Sequence, residues 1–265
     1  MPKFCANLSM MFNEVDFLSR FAAAKQAGFD GVEFLFPYEH PATEIRSRLD
    51  GEGLKLVLFN MPPGNWAGGE RGIACLPGRQ AEFRDGVEKA LDYAGSLGCT
   101  LVHCMAGIVP SGLPHDVAWA TYTANVAWAA ERAANRGVVI ALEPINHRDM
   151  PGFLLNTTGQ GAAMVEALGR DRVALQFDIY HCQVTEGDVT KRFEALLPLI
   201  AHAQIADVPL RNEPGTGELA WRYIFDRIDA LGYKGWLGCE YRPAAGTIEG
   251  LSWRETFGVG TIPKG

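Results

Sequence analysis

Two kinds of hydrophobic pattern alternate along the chain. Short unbroken apolar runs, rich in Val, Leu, Ile and Phe, read as buried strands over 4–11, 31–36, 54–59, 100–105, 138–143, 173–178, 201–206 and 235–240. Between them, apolar residues recur at three- and four-residue steps and predict helices over 15–27, 43–52, 81–97, 115–136, 158–168, 189–197 and 218–231. In 81–97, Phe83, Val87, Ala90, Leu91, Ala94 and Leu97 form one stripe that Gly98 closes. Thr43 is placed to cap the second helix, and Gly28, Gly53, Gly137 and Gly232 stand where others stop. Leu251, Trp253 and Phe257 suggest a packed terminal helix.

Strand followed by helix, repeated to eight strands over about 250 residues, predicts the α/β class and a (β/α)8 TIM barrel with a parallel sheet. A doubly wound open sheet would carry a glycine-rich turn after its first strand, and Asn7-Leu-Ser-Met-Met has none. No linker or compositional break interrupts residues 1–258, read as one domain, and 259–265 reads as a frayed tail. Two loops interrupt the regular alternation, 60–79 and 106–114, both rich in glycine and proline. A loop as long as the first is usually functional.

Composition narrows the partners. The 265 residues carry a net charge of −7, which disfavours a broad nucleic-acid or anionic-membrane footprint but not a small anionic substrate. The six cysteines form no Cys-x-x-Cys pair and lie in or beside apolar runs, so they read as reduced core thiols. With no signal-peptide pattern and no run of the ~20 apolar residues that a membrane span needs, the expected compartment is the cytoplasm. The tail aromatics suit either the floor of the barrel or a partner copy, leaving a homo-oligomer open.

The chemistry lies where the later strands end. Glu143, Asp178 and Glu240 finish strands five, six and eight, and Gln204 lies near the end of strand seven. In barrels of this kind, strand C-termini carry the active site. An acid ending so apolar a run is costly to bury unpaired. Four oxygen-bearing side chains on consecutive strands therefore suggest a shared divalent metal. All-oxygen ligation favours Mg2+ or Mn2+ over zinc.

Several stretches resemble the hydroxypyruvate isomerase family of xylose-isomerase-like barrels: Ala6-Asn-Leu-Ser-Met-Met11, Gly31-Val-Glu-Phe-Leu-Phe-Pro-Tyr38, Gly69 to Arg79, Leu142-Glu-Pro-Ile-Asn-His147, Gln176-Phe-Asp-Ile-Tyr-His181, Gln204-Ile-Ala-Asp207, Glu213 to Glu218 and Gly238-Cys-Glu-Tyr-Arg-Pro243. The resemblance implies that Glu143, Asp178, Gln204 and Glu240 hold the metal and that Glu143 and Glu240 are the acid/base pair. It implies conversion of hydroxypyruvate to tartronate semialdehyde through an enediolate. The 2-oxo-tetronate isomerases are close relatives and remain the alternative. Ketose 3-epimerases are a further one, disfavoured because they often place histidine where Gln204 stands. His181 and His103 are expected to hydrogen-bond substrate oxygens, Arg211 to grip the carboxylate of a small hydroxy-oxo-acid, and Glu70, with Arg71 and Trp66, to cover the site from the long loop. An abasic-site endonuclease of the same architecture would need several zinc ions and many histidines, and six scattered histidines with negative net charge do not meet that.

Overall fold

Eight parallel strands pair in chain order and close on themselves in the computed structural model, which describes residues 2–259. They are β1 (Lys3–Asn7), β2 (Gly31–Phe34), β3 (Lys55–Asn60), β4 (Leu101–His103), β5 (Val139–Leu142), β6 (Val173–Asp178), β7 (Ile200–Ile205) and β8 (Trp236–Cys239). β8 pairs back onto β1 with Cys5 opposite Gly238, completing the (β/α)8 TIM barrel. Ten α-helices are described: α1 (Arg20–Gln26), α2 (Ala42–Glu52), α3 (Gln80–Leu97), α4 (His115–Ala134), α5 (Thr158–Leu168), α6 (Ile179–Thr185), α7 (Val189–Leu196), α8 (Trp221–Ala230), α9 (Thr247–Gly250) and α10 (Trp253–Phe257). No helix among the described residues is long and apolar enough to cross a membrane.

The helices turn their apolar stripes inward. The α3 stripe from Phe83 to Leu97 is buried as its spacing predicts. Most of the core lies between the strands and this outer layer. A separate small cluster, Cys5, Val57, Leu58, Leu101 and Ala141, packs with Val139 and Trp236 from the strands' N-terminal side. All six cysteines are free and buried.

Several boundaries differ from the expected ones, for local reasons. β1 ends at Asn7 rather than running to residue 11, because Met10 and Met11 donate back to the Asn7 carbonyl and turn the chain. Thr43 is not a cap; the cap position falls at Pro41, two residues earlier, with Thr43 already helical. A short helix, α6, follows β6 at once and was not expected. Asp178 nucleates it by accepting the amides of Tyr180 and His181. The expected terminal helix divides into α9 and α10. Trp253 packs edge-on against Phe4, ring centroids 5.2 Å apart, and stacks on Phe225, so this tail aromatic is spent inside the chain. Of the tail expected to fray, Val259 is buried and donates to the Arg254 carbonyl, while 260–265 lie outside the described residues.

The loop after β7 shows how one side chain shapes a mouth segment. The Asp207 carboxylate accepts the backbone N–H groups of Val208, Gly215, Gly217 and Leu219. Gly217 is required there, since a Cβ would lie 1.9 Å from the Val208 carbonyl oxygen. This folded loop carries Arg211, a non-glycine residue in the left-handed region at φ 60°.

Candidate active site

Glu143, Asp178, Gln204 and Glu240 all stand at the C-terminal side of the barrel, as their sequence spacing requires. Glu143 and Glu240 are the first residues past β5 and β8; Asp178 is the last residue of β6. Asp178 is the register partner of Gln204, and Gln204 that of Gly238. Partners in a parallel ladder share a level, so Asp178 and Gln204 stand side by side on β6 and β7, while Glu240 lies two residues beyond the Gly238 level on β8.

Buried Glu143 and Asp178 share the site with Glu240 and one cation, Arg211, both largely buried. Arg211 Nη2 donates to Glu240 Oε2 at 2.8 Å and lies 3.4 Å from Asp178 Oδ2, its guanidinium over the Tyr180 ring at 5.0 Å. Glu143 has no such partner. Its Oε1 makes no hydrogen bond among the described residues. Burial pushes the Glu143 carboxyl well above its ordinary range, and the Glu240 and Asp178 charges add to this. Burial likewise raises Asp178 against the opposing pull of Arg211. Glu240 is pushed up to about 8, again by burial first, with Arg211 opposing and Asp178 and Glu33 reinforcing. One guanidinium is too little positive charge for three buried acids.

Two histidines face the same acids. His103 Nδ1 lies 3.6 Å from Glu143 Oε2; His181 Nε2 lies 3.8 Å from Glu143 Oε1 and 3.6 Å from Asp178 Oδ2. Burial lowers His103 to about 3, and burial, then Arg211 and His103, lowers His181 far below its ordinary value. Both rings are neutral at physiological pH, so these contacts are not ion pairs. Neither ring nitrogen of His103 has a hydrogen-bond partner, whereas His181 Nδ1 lies 2.6 Å from Asn146 Nδ2. Glu143, Asp178 and His181 each offer a ligand atom, the three lying within 4.8 Å of one another.

Below this group, Gln204 joins a residue that the sequence reading passed over. Glu33 on β2 is buried and receives Asn7 Nδ2 at 3.0 Å, Gln204 Nε2 at 2.9 Å and Cys5 Sγ at 3.4 Å, with His202 Nε2 at 2.6 Å. Burial works to raise its carboxyl, but His202, Gln204 and Asn7 together hold it below the ordinary range. The available signal was a charged residue inside an apolar strand, Gly31-Val-Glu-Phe34. Asn146 was missed as well, although it sits in a matched motif.

Glu70 stands apart from the carboxylates. It pairs with Arg79 at 2.7 Å and accepts the Asn65 amide at 2.5 Å, bracing its own loop. On the same loop, Trp66 packs on Phe36, and Arg71 lies over its ring at 3.9 Å. An open cleft of about 560 Å³ occupies the neighbouring part of the mouth, lined by Ser9, Asn13, Phe36, Glu39, Trp66 and Arg242.

Acids, neutral imidazoles and a guanidinium grouped at strand ends can relay protons beside an anionic substrate. A family model described as the xylose isomerase-like TIM barrel matches residues 21–257. The chain belongs to that family. It is 53% identical to a 2-oxo-tetronate isomerase from Cupriavidus necator, over 97% of this chain and 99% of the relative. It is 45% identical to a hydroxypyruvate isomerase from Escherichia coli, over 97% of this chain and the whole of the relative. A crystal structure of a protein described as AP endonuclease, family 2, from Brucella melitensis superposes with a TM-score of 0.93 at 46% identity, covering 97% of this chain and 99% of the other. An L-ribulose 3-epimerase shares the fold at 24% identity, with a TM-score of 0.76 over 96% of this chain and 86% of the other. As a xylose isomerase-like barrel with full-length isomerase relatives, the protein is an isomerase of this family.

Proposed function

We propose that the protein is a metal-dependent isomerase that exchanges carbonyl and hydroxyl between C2 and C3 of a short 2-oxo-3-hydroxy acid. The observation that carries this is the triad of buried Glu143 and Asp178 with the largely buried Glu240, and a single guanidinium among them. The residues fit a divalent cation. Their donor set is oxygen, the Glu143 Oε1 atom is buried without a hydrogen bond, and burial raises all three carboxyls against the pull of the one guanidinium. Glu143, Asp178, Gln204 and Glu240 would hold it, and Mg2+ or Mn2+ suits such ligands. When bound, the ion polarises the substrate carbonyl and stabilises the oxyanion that forms as the adjacent C–H bond breaks.

The chain's own groups supply the proton transfers. One of Glu143 and Glu240 takes the proton from the hydroxyl-bearing carbon, giving an enediolate. The other returns a proton to the neighbouring carbon. Neutral His103 and His181 donate N–H bonds to substrate oxygens without adding charge. Arg211 reaches the substrate carboxylate by leaving Glu240 and Asp178.

Hydroxypyruvate and 2-oxo-tetronate fit one scheme, differing only in whether C3 carries a second hydrogen or a hydroxymethyl group. The sequence motifs point to hydroxypyruvate, with tartronate semialdehyde as product. The 53% identity to the C. necator 2-oxo-tetronate isomerase favours the four-carbon acid as a second reading, and the open cleft beside Arg242 offers room for it. The test is an isomerisation assay on both acids and on a free ketose, with and without added Mg2+ or Mn2+. Turnover of the ketose alone, or full turnover after thorough metal removal, would sink the proposal. An endonuclease reading gains nothing from the site, where two neutral histidines accompany the three acids.

A further inference from the structure

The buried chain of hydrogen bonds beneath the site has a direction. Asn7 Oδ1 accepts the Ser9 amide at 3.0 Å, so it is the Asn7 Nδ2 end that faces Glu33 Oε1. The same Oε1 atom receives Gln204 Nε2 at 2.9 Å, while the other carboxylate oxygen takes Cys5 and His202. With so many donors aimed at it, Glu33 is an acceptor only. An amide is otherwise free to present either end, since oxygen and nitrogen have nearly the same shape. Beside a carboxylate that freedom is gone: the nitrogen must face Glu33. Gln204 Oε1 is then turned the other way. One of its two lone pairs takes Gln176 Nε2 at 2.7 Å, and one remains.

The barrel is built around this carboxylate. A Cβ at position 238 would lie 2.4 Å from Glu33 Oε2, so Gly238, the register partner of Gln204, leaves the space that Glu33 fills. A cation meets an amide through its oxygen, never through its protonated nitrogen. We propose that Glu33 is a positioning residue that fixes the flip state of Gln204, claiming Nε2 and so reserving Oε1 for the metal ion. The inference rests on the reading of Gln204 as a metal ligand. Glu33 itself touches neither metal nor substrate.

The test is Mn2+ binding to the full metal-stripped chain, followed by the electron paramagnetic resonance of free Mn2+, with circular dichroism melts alongside. Glu33→Gln keeps the shape but makes position 33 a donor as well as an acceptor, so the Gln204 amide can turn over. Mn2+ affinity is expected to fall roughly 10–100-fold, the usual effect of losing a partner that orients a ligand. Gln204→Glu sets two carboxylates against each other where a 2.9 Å hydrogen bond stood. It should weaken Mn2+ binding although it adds an acid to the ligand set. The double variant Glu33→Gln/Gln204→Glu exchanges donor and acceptor, conserves the cluster's charge and should regain wild-type affinity or better. If Glu33→Gln fails to fold, the Gln204→Glu single and the double variant still decide the matter. Unchanged affinity in folded Glu33→Gln, or Gln204→Glu binding more tightly than wild type, would overturn the proposal. Failure of the underlying metal reading looks different: the wild type would then take up no Mn2+ that Glu143→Gln abolishes, and the inference would fall with it.

Discussion

Arg211 is the sharpest place to perturb the site. Its guanidinium neutralises Glu240 at 2.8 Å and Asp178 at 3.4 Å and packs on Tyr180. Arg211→Met keeps much of the stem's packing and removes the charge. Taking one partner from a buried ion pair typically costs about 3–5 kcal/mol. The lower end applies here, about 3 kcal/mol, because Glu240 is already pushed up to about 8 and can hold a proton instead. In a chain of this size each kcal/mol moves the melting temperature by about 2 °C, so the metal-free variant should melt about 6 °C below the metal-free wild type. At the proposed metal site, saturating Mn2+ would supply the missing positive charge to the same carboxylates. The variant should therefore gain more from the ion than the wild type does, and the difference between them should shrink to about 2 °C. Calorimetry in chelator and in excess Mn2+ reads both numbers. An equal loss under both conditions would refute the reasoning, because it would mean that Arg211 and the ion do not serve the same acids.

Other outcomes follow from the same geometry. Glu143→Gln and Glu240→Gln should each lower kcat by about 100- to 10,000-fold, the usual worth of a positioned acid or base, with unchanged circular dichroism; a variant retaining more than a few per cent of turnover removes that residue from the proton-transfer role. Chelation should abolish activity, and Mg2+ or Mn2+ should restore it on readdition. Gly217→Ala drives a methyl to within 1.9 Å of the Val208 carbonyl oxygen. It should cost at least about 1–3 kcal/mol in denaturant titrations and raise KM through the displaced Arg211 loop. Glu70 is held below the ordinary carboxylate range by Arg79 and the Asn65 amide. A lowered folded-state pKa stabilises above the unfolded value and is lost as pH falls through the folded one. Exchange of the Asn65 amide, corrected for its intrinsic rate, should therefore be protected at neutral pH and lose that protection at acid pH.

The barrel was legible because strand and helix periods differ and alternate cleanly, as in the α3 stripe and in the apolar runs that end at Asp178 and Glu240. The positions of Glu143, Asp178, Gln204 and Glu240 followed from strand order alone. What escaped was set by side chains reaching across the sequence. Asp178 starts α6 by capping it, so the same carboxylate that faces the site also shapes the chain after it. Glu33 meets Gln204 from 171 positions away, and no local pattern encodes such a meeting. Glu70 is expected at a lid because its loop is long and rich in glycine and proline; its partners in the structure, Arg79 and the Asn65 amide, lie on the same loop, a pairing that no local pattern announces. Thr43 had the chemistry of a cap, but Pro41 set the helix start before it.

The three acids and the Gln204 amide come from β5 to β8, whereas the open cleft is walled chiefly by segments after β1, β2 and β3. On the proposed reading, the carboxylates and most of the cleft wall are thus drawn from different parts of the polypeptide, with Glu33 and His103 reaching the acid side from the early strands and Arg242 reaching the cleft from the last. Exchanging the early loops is then expected to alter which molecule is admitted while Glu143, Asp178, Gln204 and Glu240 keep their places. A barrel divided this way can change its diet without relearning its chemistry, and a designer seeking a new short acid for it has reason to begin at Ser9, Asn13 and Glu39.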